Sequence, residues 1–229
     1  MLQVDRPTYS RLLELLESHP EVRLTETTSP AGTLTFEQCG RRRVLRYGQE
    51  TLGGLIEIED NNPLVCADDV SIPNAAATLL WVALGPLFRA GLILEPPVFQ
   101  TNAPEAPLPP ELEVEGAFEV EEGGSVYAGQ AMAVVPTLDD WGDIDLLYEE
   151  AYGRSFYVRR IQDGDWHPSL VSNRPFAAYR IRLTPDDHRS LLTVQVMADK
   201  EGKCGACQVV HTLNVMAGFE ECLGIPDSW

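Results

Sequence analysis

The sequence predicts an α+β fold: a mixed, largely antiparallel sheet with helices packed on one face. Strand patterns outnumber helix patterns along its 229 residues, and several strands follow one another without a helix between them. Residues 79–93 are almost uninterrupted in apolar character, so the helix they predict must be buried on most sides. With 44% of residues hydrophobic, a chain of this length can close a sizeable core around such a helix.

Each element has its own local signal. Pro7 followed by Leu12, Leu13, Leu15 and Leu16 predicts an amphipathic helix with proline in its first turn. It ends near His19-Pro20, because proline disfavours helix in the residue before it. Val22 and Leu24 alternate with charged residues as a short strand, and residues 33–58 predict further short strands broken at Gly40, Gly48 and Gly53-Gly54. The apolar helix spans 75–90, with Gly91 as its C-cap. Six prolines within 95–110 predict a linker or extended loop. Beyond it, Leu112, Val114, Phe118 and Val120 alternate with glutamates as a half-exposed strand, and 125–135 predicts another. Residues 143–152 read as an acidic, exposed helix capped near Asp139 or Asp140. Three more strands are expected at 156–160, 176–183 and 191–198. A last helix is expected from Gly205 or Ala206 to about Cys222, ending at Gly224 and Pro226. No internal repeat is visible.

Charge excludes some partners. Thirty-five acidic against 17 basic residues give a net charge of -18. That excess opposes nucleic-acid phosphates and anionic lipid, which both need lysine and arginine to replace counterions. The local cluster Arg41-Arg42-Arg43 with Arg46 reads as a solvated strand edge, where charge blocks unwanted pairing, ahead of a ligand site. No stretch approaches the ~20 apolar residues of a membrane span. Met1-Leu2-Gln3-Val4-Asp5 lacks the basic and apolar regions of a signal peptide. Cys39, Cys66, Cys204, Cys207 and Cys222 form an odd set without a secreted-framework pattern, so the expected compartment is a reducing cytoplasm.

The residues with most chemical promise are Cys204-Gly205-Ala206-Cys207, a C-x-x-C at the expected start of the last helix, beside Lys203. Helix N-terminal amides and a lysine both favour thiolate, so a redox pair is one reading. A metal site that adds His211, on the same helical face as Cys207, is a second. Two inert helix-start cysteines are the third, and C-x-x-C outside a βαβ context is a weak signal. Glu119, Glu121 and Glu122 read as a solvated strand face. Asp139, Asp140, Asp143 and Asp145 lack the glycine and distal glutamate of a calcium loop. His19 and His167 sit beside prolines in turns, and Ser10 and Ser71 have no Gly-x-Ser-x-Gly context.

Ile72-Pro73-Asn74-Ala75-Ala76-Ala77-Thr78, which opens the buried helix, resembles the Asn-Pro-Gly-Cys-Tyr-Pro-Thr segment of N-acetyl-gamma-glutamyl-phosphate reductases, relatives of aspartate-semialdehyde dehydrogenase. In that family the cysteine attacks an acyl phosphate or aldehyde. Pro73, Thr78 and the helix match. The cysteine position falls on Ala75, whose methyl has no lone pair to form a covalent intermediate. Residues 199–224, with Lys203, Gln208, Asn214-Val215-Met216 and Gly218-Phe219-Glu220, resemble the family's Asp-Asn-Leu-Val-Lys-Gly-Ala-Ala-Gly-Gln helix start and its continuation. Tyr148-Glu149-Glu150-Ala151-Tyr152 leading to Phe156-Tyr157-Val158 resembles a recurrent pattern of the dimerisation domain. Residues 9–29 resemble the helix and second strand after the nucleotide loop, and Ser172-Asn173 fits a Gly-Ser-Asn turn.

The resemblance implies two regions: 1–70 as a small α/β remnant of the nucleotide-binding region, and 71–229 as a dimerisation-like domain with 95–110 as its proline-rich loop. No Gly-x-Gly-x-x-Gly precedes the first helix, and Tyr47-Gly48 looks like the point where the family pattern resumes after a large deletion. The family's catalytic histidine falls near Glu122 and its arginine near Ala128, beside Gly129. The expectation is a pseudoenzyme without a cofactor, acting as a scaffold, regulator or ligand-binding protein. It would be a homodimer, or the partner of a related reductase, joined through the large sheet. Asn74, Lys203 and Gln208 are its candidate ligand-binding residues, with the N-terminus of the Ala75 helix and Lys203 as the cradle for a small anion. The alternatives are a thiol-redox or metal-binding protein built on Cys204 and Cys207, and an accessory subunit of an intact reductase.

Overall fold

The computed structural model describes residues 1–49, 55–58, 61–119, 124–137, 142–186 and 188–229. Gly53-Gly54, Val120, Glu121, Glu122, Asp139 and Asp140, to which the sequence assigned a strand break, a carboxylate face, a helix cap and the position of a lost histidine, lie outside these described residues.

The first sheet is built from β1 (Leu2–Arg6), β2 (Val22–Thr28), β3 (Thr33–Gln38), β4 (Arg41–Gln49) and β5 (Asp69–Pro73), with α1 (Ser10–Ser18) and the short α2 (Asn61–Cys66) between them. Its spatial order is β2-β1-β3-β4-β5, parallel at the two outer pairs and antiparallel inside. β1 is an element the sequence pattern left unread. Leu2 and Val4 alternate inward over only five residues, and Pro7 follows the strand instead of opening α1. The β3–β4 turn has Cys39 at φ 52° and Gly40 at φ 75°, the double left-handed conformation whose twist suits a two-residue hairpin. β4 runs on through Gly48, and residues 56–58 form a turn, not a strand.

The arginine cluster sits differently from its expected solvated edge, because β4 is paired on both sides. Arg41, Arg42 and Arg46 pair with Asp68, Asp5 and Asp69. Arg43 is 3% exposed and donates to the carbonyls of Leu64, Ala67 and Met216 at 2.8, 2.8 and 2.5 Å.

The second sheet contains β6 (Val98–Thr101), β7 (Glu115–Phe118), β8 (Val126–Pro136), β9 (Val158–Arg160), β10 (Ala177–Thr184) and β11 (Arg189–Asp199). Its order is β7-β6-β8-β11-β10-β9, antiparallel through the middle and parallel at both margins. β6 lies inside the stretch expected to be loop, where Phe99 points into the core between flanking prolines. α3 (Ala75–Arg89) packs against β8, β10 and β11 with α4 (Gly142–Tyr152) beside it. The architecture is α+β with mixed sheets, compatible with a semialdehyde dehydrogenase-like dimerisation domain.

Three buried clusters result among the described residues. The smallest packs Val126, Ala178 and Met197, on the second sheet's face away from α3, under Tyr157, Val171 and Phe176. Neither of the two larger ones comes from one contiguous stretch. The larger surrounds α3. The other joins α1 and the first sheet to α5 (Ala206–Ala217), whose residues are all buried. α5 stops at Gly218, φ 74°, where the Gly218 and Phe219 amides close on Val215 and Asn214; the expected extension to Cys222 does not form.

α3 carries a proline in its last turns, and α4 compensates for it. Pro86 has no N–H for the Val82 carbonyl one turn back. The buried Tyr152 hydroxyl donates to that carbonyl at 3.0 Å, and the Tyr148 hydroxyl donates to the Ala83 carbonyl next to it. α4 is therefore exposed on one side only. Tyr152→Phe is expected to cost about 1–3 kcal/mol in urea unfolding, the penalty of a buried acceptor left unpaired. The cost should shrink in a Pro86→Ala background, which returns the amide.

Candidate functional site

The residues singled out by sequence converge where β5 ends and where α3 and α5 begin. Asn74 is the N-cap of α3. Its Oδ1 accepts from the Ala77 amide at 2.9 Å, and its Nδ2 donates to the Pro107 carbonyl at 2.8 Å, tying the proline-rich segment to the helix start. Ala75 is the first residue of the helix. The Cys204 thiol lies 3.9 Å from the Ala75 carbonyl. Gly205 is the N-cap of α5, and a Cβ there would overlap the Lys200 carbonyl oxygen, so the residue inside the C-x-x-C is fixed by close backbone approach.

Together Asn74, Ala75, Cys204, Gly205 and Gln208, with Tyr9, line a cavity of about 170 Å³. Lys203 and Cys207 are not part of its lining. Gln208 donates to the Thr212 hydroxyl at 3.3 Å. Tyr9 donates to Glu201, and burial followed by that carboxylate pushes its phenol far above the ordinary range.

Lys203 is engaged elsewhere. It is 1% exposed, and its ammonium donates to both carboxylate oxygens of Glu57 at 2.6 and 2.7 Å. The Ser155 hydroxyl donates to the same carboxylate at 3.1 Å and accepts from the Tyr157 and Val158 amides. One buried charge pair thus joins the start of α5, the turn before α2 and the entry to β9. Burial works to raise the Glu57 carboxyl, but the Lys203 charge and hydrogen bonds, with His211, outweigh it and hold it below its ordinary value.

His211, the third candidate in the metal reading, is engaged elsewhere. Its Nε2 contacts Glu221 at 3.0 Å and its ring lies 4.4 Å from that of Tyr157. Burial lowers its pKa, so it is neutral near pH 7. Among the described residues no three His, Cys, Asp or Glu side chains gather as a metal-ligand set. Cys204 and Cys207 are both free thiols, and burial, reinforced at each by Asp199, pushes both up to about 12. Lys203 lowers them by less, so neither is a thiolate at neutral pH.

Sequence reasoning missed Glu57, Ser155, Tyr9, Tyr157 and Glu221. Their partners lie far away in the chain, and no spacing rule pairs Glu57 with Lys203. His19, read from sequence as a turn histidine with no partner pattern, contacts Asn214 of α5 at 2.9 Å.

No protein-family model matches the chain. N-acetyl-gamma-glutamyl-phosphate reductase from Psychrobacter arcticus is 34% identical over 88 residues, which is 38% of this chain and 24% of that protein. The proteins of that name from Psychrobacter sp. (strain PRwf-1) and Psychrobacter cryohalolentis are 32% identical over 83 residues and 33% over 88 residues. The chain is a distant relative of these reductases. The matched stretch spans about a quarter of the length of each. Among the described residues no helix is long and apolar enough to cross a membrane.

The Glu57–Lys203 pair predicts a reversal of pH dependence. In the wild type the folded carboxyl lies below its ordinary value of 4.5. Its share of stability is complete above that value and is lost as pH falls through the folded one. In Lys203→Met the buried carboxylate has no counter-ion, so burial should raise it; that share is then present at low pH and lost as pH rises. Urea unfolding should find the variant less stable by roughly 3–5 kcal/mol near pH 7, with the gap narrowing near pH 4.

Proposed function

We propose that this chain is a non-catalytic, self-associating relative of the reductases, in which the former reaction site has become a packing junction. The observation that carries this reading is the state of the groups at the start of α3. Ala75 stands where the resemblance expects a nucleophilic cysteine. Asn74 is occupied at both ends of its amide by the chain itself. Lys203, the cation expected to cradle an anion, is neutralised by Glu57. Electrostatic catalysis needs preorganised donors aimed at developing charge, and these donors are aimed at protein groups.

The cavity that remains, about 170 Å³, is smaller than the roughly 300–1,000 Å³ of ordinary ligand sites. A carboxylate- or phosphate-sized regulator at the α3 N-terminus is the largest ligand class it suits, with Asn74 and Gln208 as its nearest side-chain amides. The thiol-redox alternative gains no support from two thiols held neutral by burial. Self-association draws on the second sheet, whose face away from α3 keeps Val98 38% and Leu191 41% exposed. The same face would serve an intact reductase as partner.

The test is an assay with N-acetyl-gamma-glutamyl phosphate and a reduced nicotinamide dinucleotide, run beside light scattering on the same sample. No dinucleotide oxidation above background, from a dimeric protein, is expected. Turnover that disappears in Cys204→Ser would overturn the non-catalytic reading, because the thiol beside Ala75 would then be the nucleophile.

A further inference from the structure

Three side chains on the second sheet form a hydrogen-bonded ladder whose direction is fixed by its first member. Arg180, Gln195 and Gln130 stand opposite one another on β10, β11 and β8. The Arg180 Nε donates to the Gln195 Oε1 at 2.5 Å, and the Gln195 Nε2 donates to the Gln130 Oε1 at 2.8 Å. A guanidinium only donates, so each amide must turn its oxygen toward the arginine and its nitrogen away from it. The ladder therefore ends on the Gln130 Nε2, a donor without a partner among the described residues. At the other end Arg180 uses only its Nε, which leaves its terminal nitrogens as further donors.

Arg182 lies two residues further along β10 on the same face, about 7 Å from Arg180 at ordinary strand rise, with Thr193 opposite it. It is exposed, and among the described residues neither it nor Arg180 has a carboxylate partner. Gln130, Arg180, Arg182, Thr184, Thr193 and Gln195 line one cavity of about 740 Å³, within the roughly 300–1,000 Å³ of ordinary ligand sites. Among the described residues no carboxylate lines it, in a chain whose acidic residues outnumber its basic ones 35 to 17. Two arginines without a counter-ion in so acidic a chain are a charge that the chain itself leaves unpaired. Arg180 is oriented in advance, because its guanidinium lies 4.7 Å from the centre of the Trp166 ring.

We propose that this cavity binds a short-chain dicarboxylate, with one carboxylate on the terminal nitrogens of Arg180 and the other on Arg182. The Gln130 amide and the Thr193 hydroxyl donate to the oxygens that remain. The lining selects for acceptors: every polar group in it that the chain leaves free either donates only or, as a hydroxyl, is able to donate. An ionised carboxylate accepts only, and its two oxygens match a guanidinium fork. Two forks about 7 Å apart suit two acidic groups separated by a few carbons. A single phosphate would have to draw the two like charges together to reach both. The site belongs to one chain, so it goes beyond the self-association reading and needs no second copy, although both draw on the same face of the sheet.

The experiment is calorimetric titration of the full chain at low ionic strength with succinate, glutarate, adipate, acetate and inorganic phosphate. Native mass spectrometry of the same samples reports the oligomeric state. One of the three dicarboxylates should bind once per chain, at least about tenfold tighter than acetate or phosphate. Arg182→Gln should weaken it at least about tenfold, and Gln130→Glu, which sets an acceptor at the donor end of the ladder, should weaken it too. Both positions are on the sheet surface, and circular dichroism checks that the variants fold. Arg23→Gln, at an exposed arginine of the first sheet, should leave binding unchanged, which separates the site from a general attraction of anions. No saturable binding at millimolar dicarboxylate, whatever the oligomeric state, would overturn the site. Binding that survives both Arg182→Gln and Gln130→Glu, or phosphate held as tightly as any dicarboxylate, would overturn it as well. A monomer that binds would support it and tell against self-association alone.

Discussion

The first sheet has no closed core until the chain reaches α5. Leu2 and Val4 of β1, Leu12 and Leu16 of α1, and Ile72 of β5 all pack into a cluster filled by Cys207, Val210, Leu213 and Met216. Because every residue of α5 is buried, the helix has no free face on which to slide. Arg43 fixes it further: the guanidinium reaches the Met216 carbonyl in the last turn of α5 and the Leu64 carbonyl at the end of α2. Carbonyls at helix C-termini have no partner within their helix, and a cation there also meets the negative end of the dipole. Once α5 is held at its C-terminal end by Arg43, its N-terminal end is brought against Ala75 and the start of α3.

The junction between the two helix starts is polar yet closed. A buried ion pair is poor evidence for net stability, because desolvating both charges can offset their attraction. Removing one partner is a different matter, since the other is left buried and charged. Glu57 and Lys203 therefore act more as a specification than as a source of stability: only one arrangement of the α5 start, the turn at residues 56–58 and the β9 entry satisfies both charges and Ser155 together. Tyr9 with Glu201, and Asn74 with Pro107, extend the same logic across the cavity.

What could be read from sequence was what local physics decides. The apolar run with Asn74 before it and Gly91 after it gave α3 to within a residue, and the alternation along 191–198 found β11. β1 and β6 escaped because four or five residues carry too little periodicity to outweigh a neighbouring proline. α5 ends earlier than its sequence pattern predicts because Gly218, not Gly224, takes the left-handed C-cap, and either glycine can. Asn74, Ala75, Cys204 and Gln208, which the sequence singles out, line one cavity. The charge of Lys203 is plain in the sequence, but its counter-ion Glu57 lies 146 residues away, within the stretch 33–58 whose pattern predicts strands. Burial of a charge is a property of the assembled core, and no window of sequence contains it.

Size decides where this molecule can make further contacts. The cavity between the helix starts holds about 170 Å³, and its polar lining is already bonded to the chain. The face of the second sheet away from α3 carries Val98, Met132 and Leu191 beside Gln100, Gln130 and Gln195. Cross-strand pairing has two further consequences here. A one-residue slip of β7 against β6 would turn Glu115 from the open face toward the core, and the same slip of β10 against β11 would do so for Arg182. The core side of each strand, with Phe118 on β7 and Tyr179 on β10 packed under α3, opposes either slip. The charge pattern of the outer face is therefore held in register by the apolar packing of the inner one.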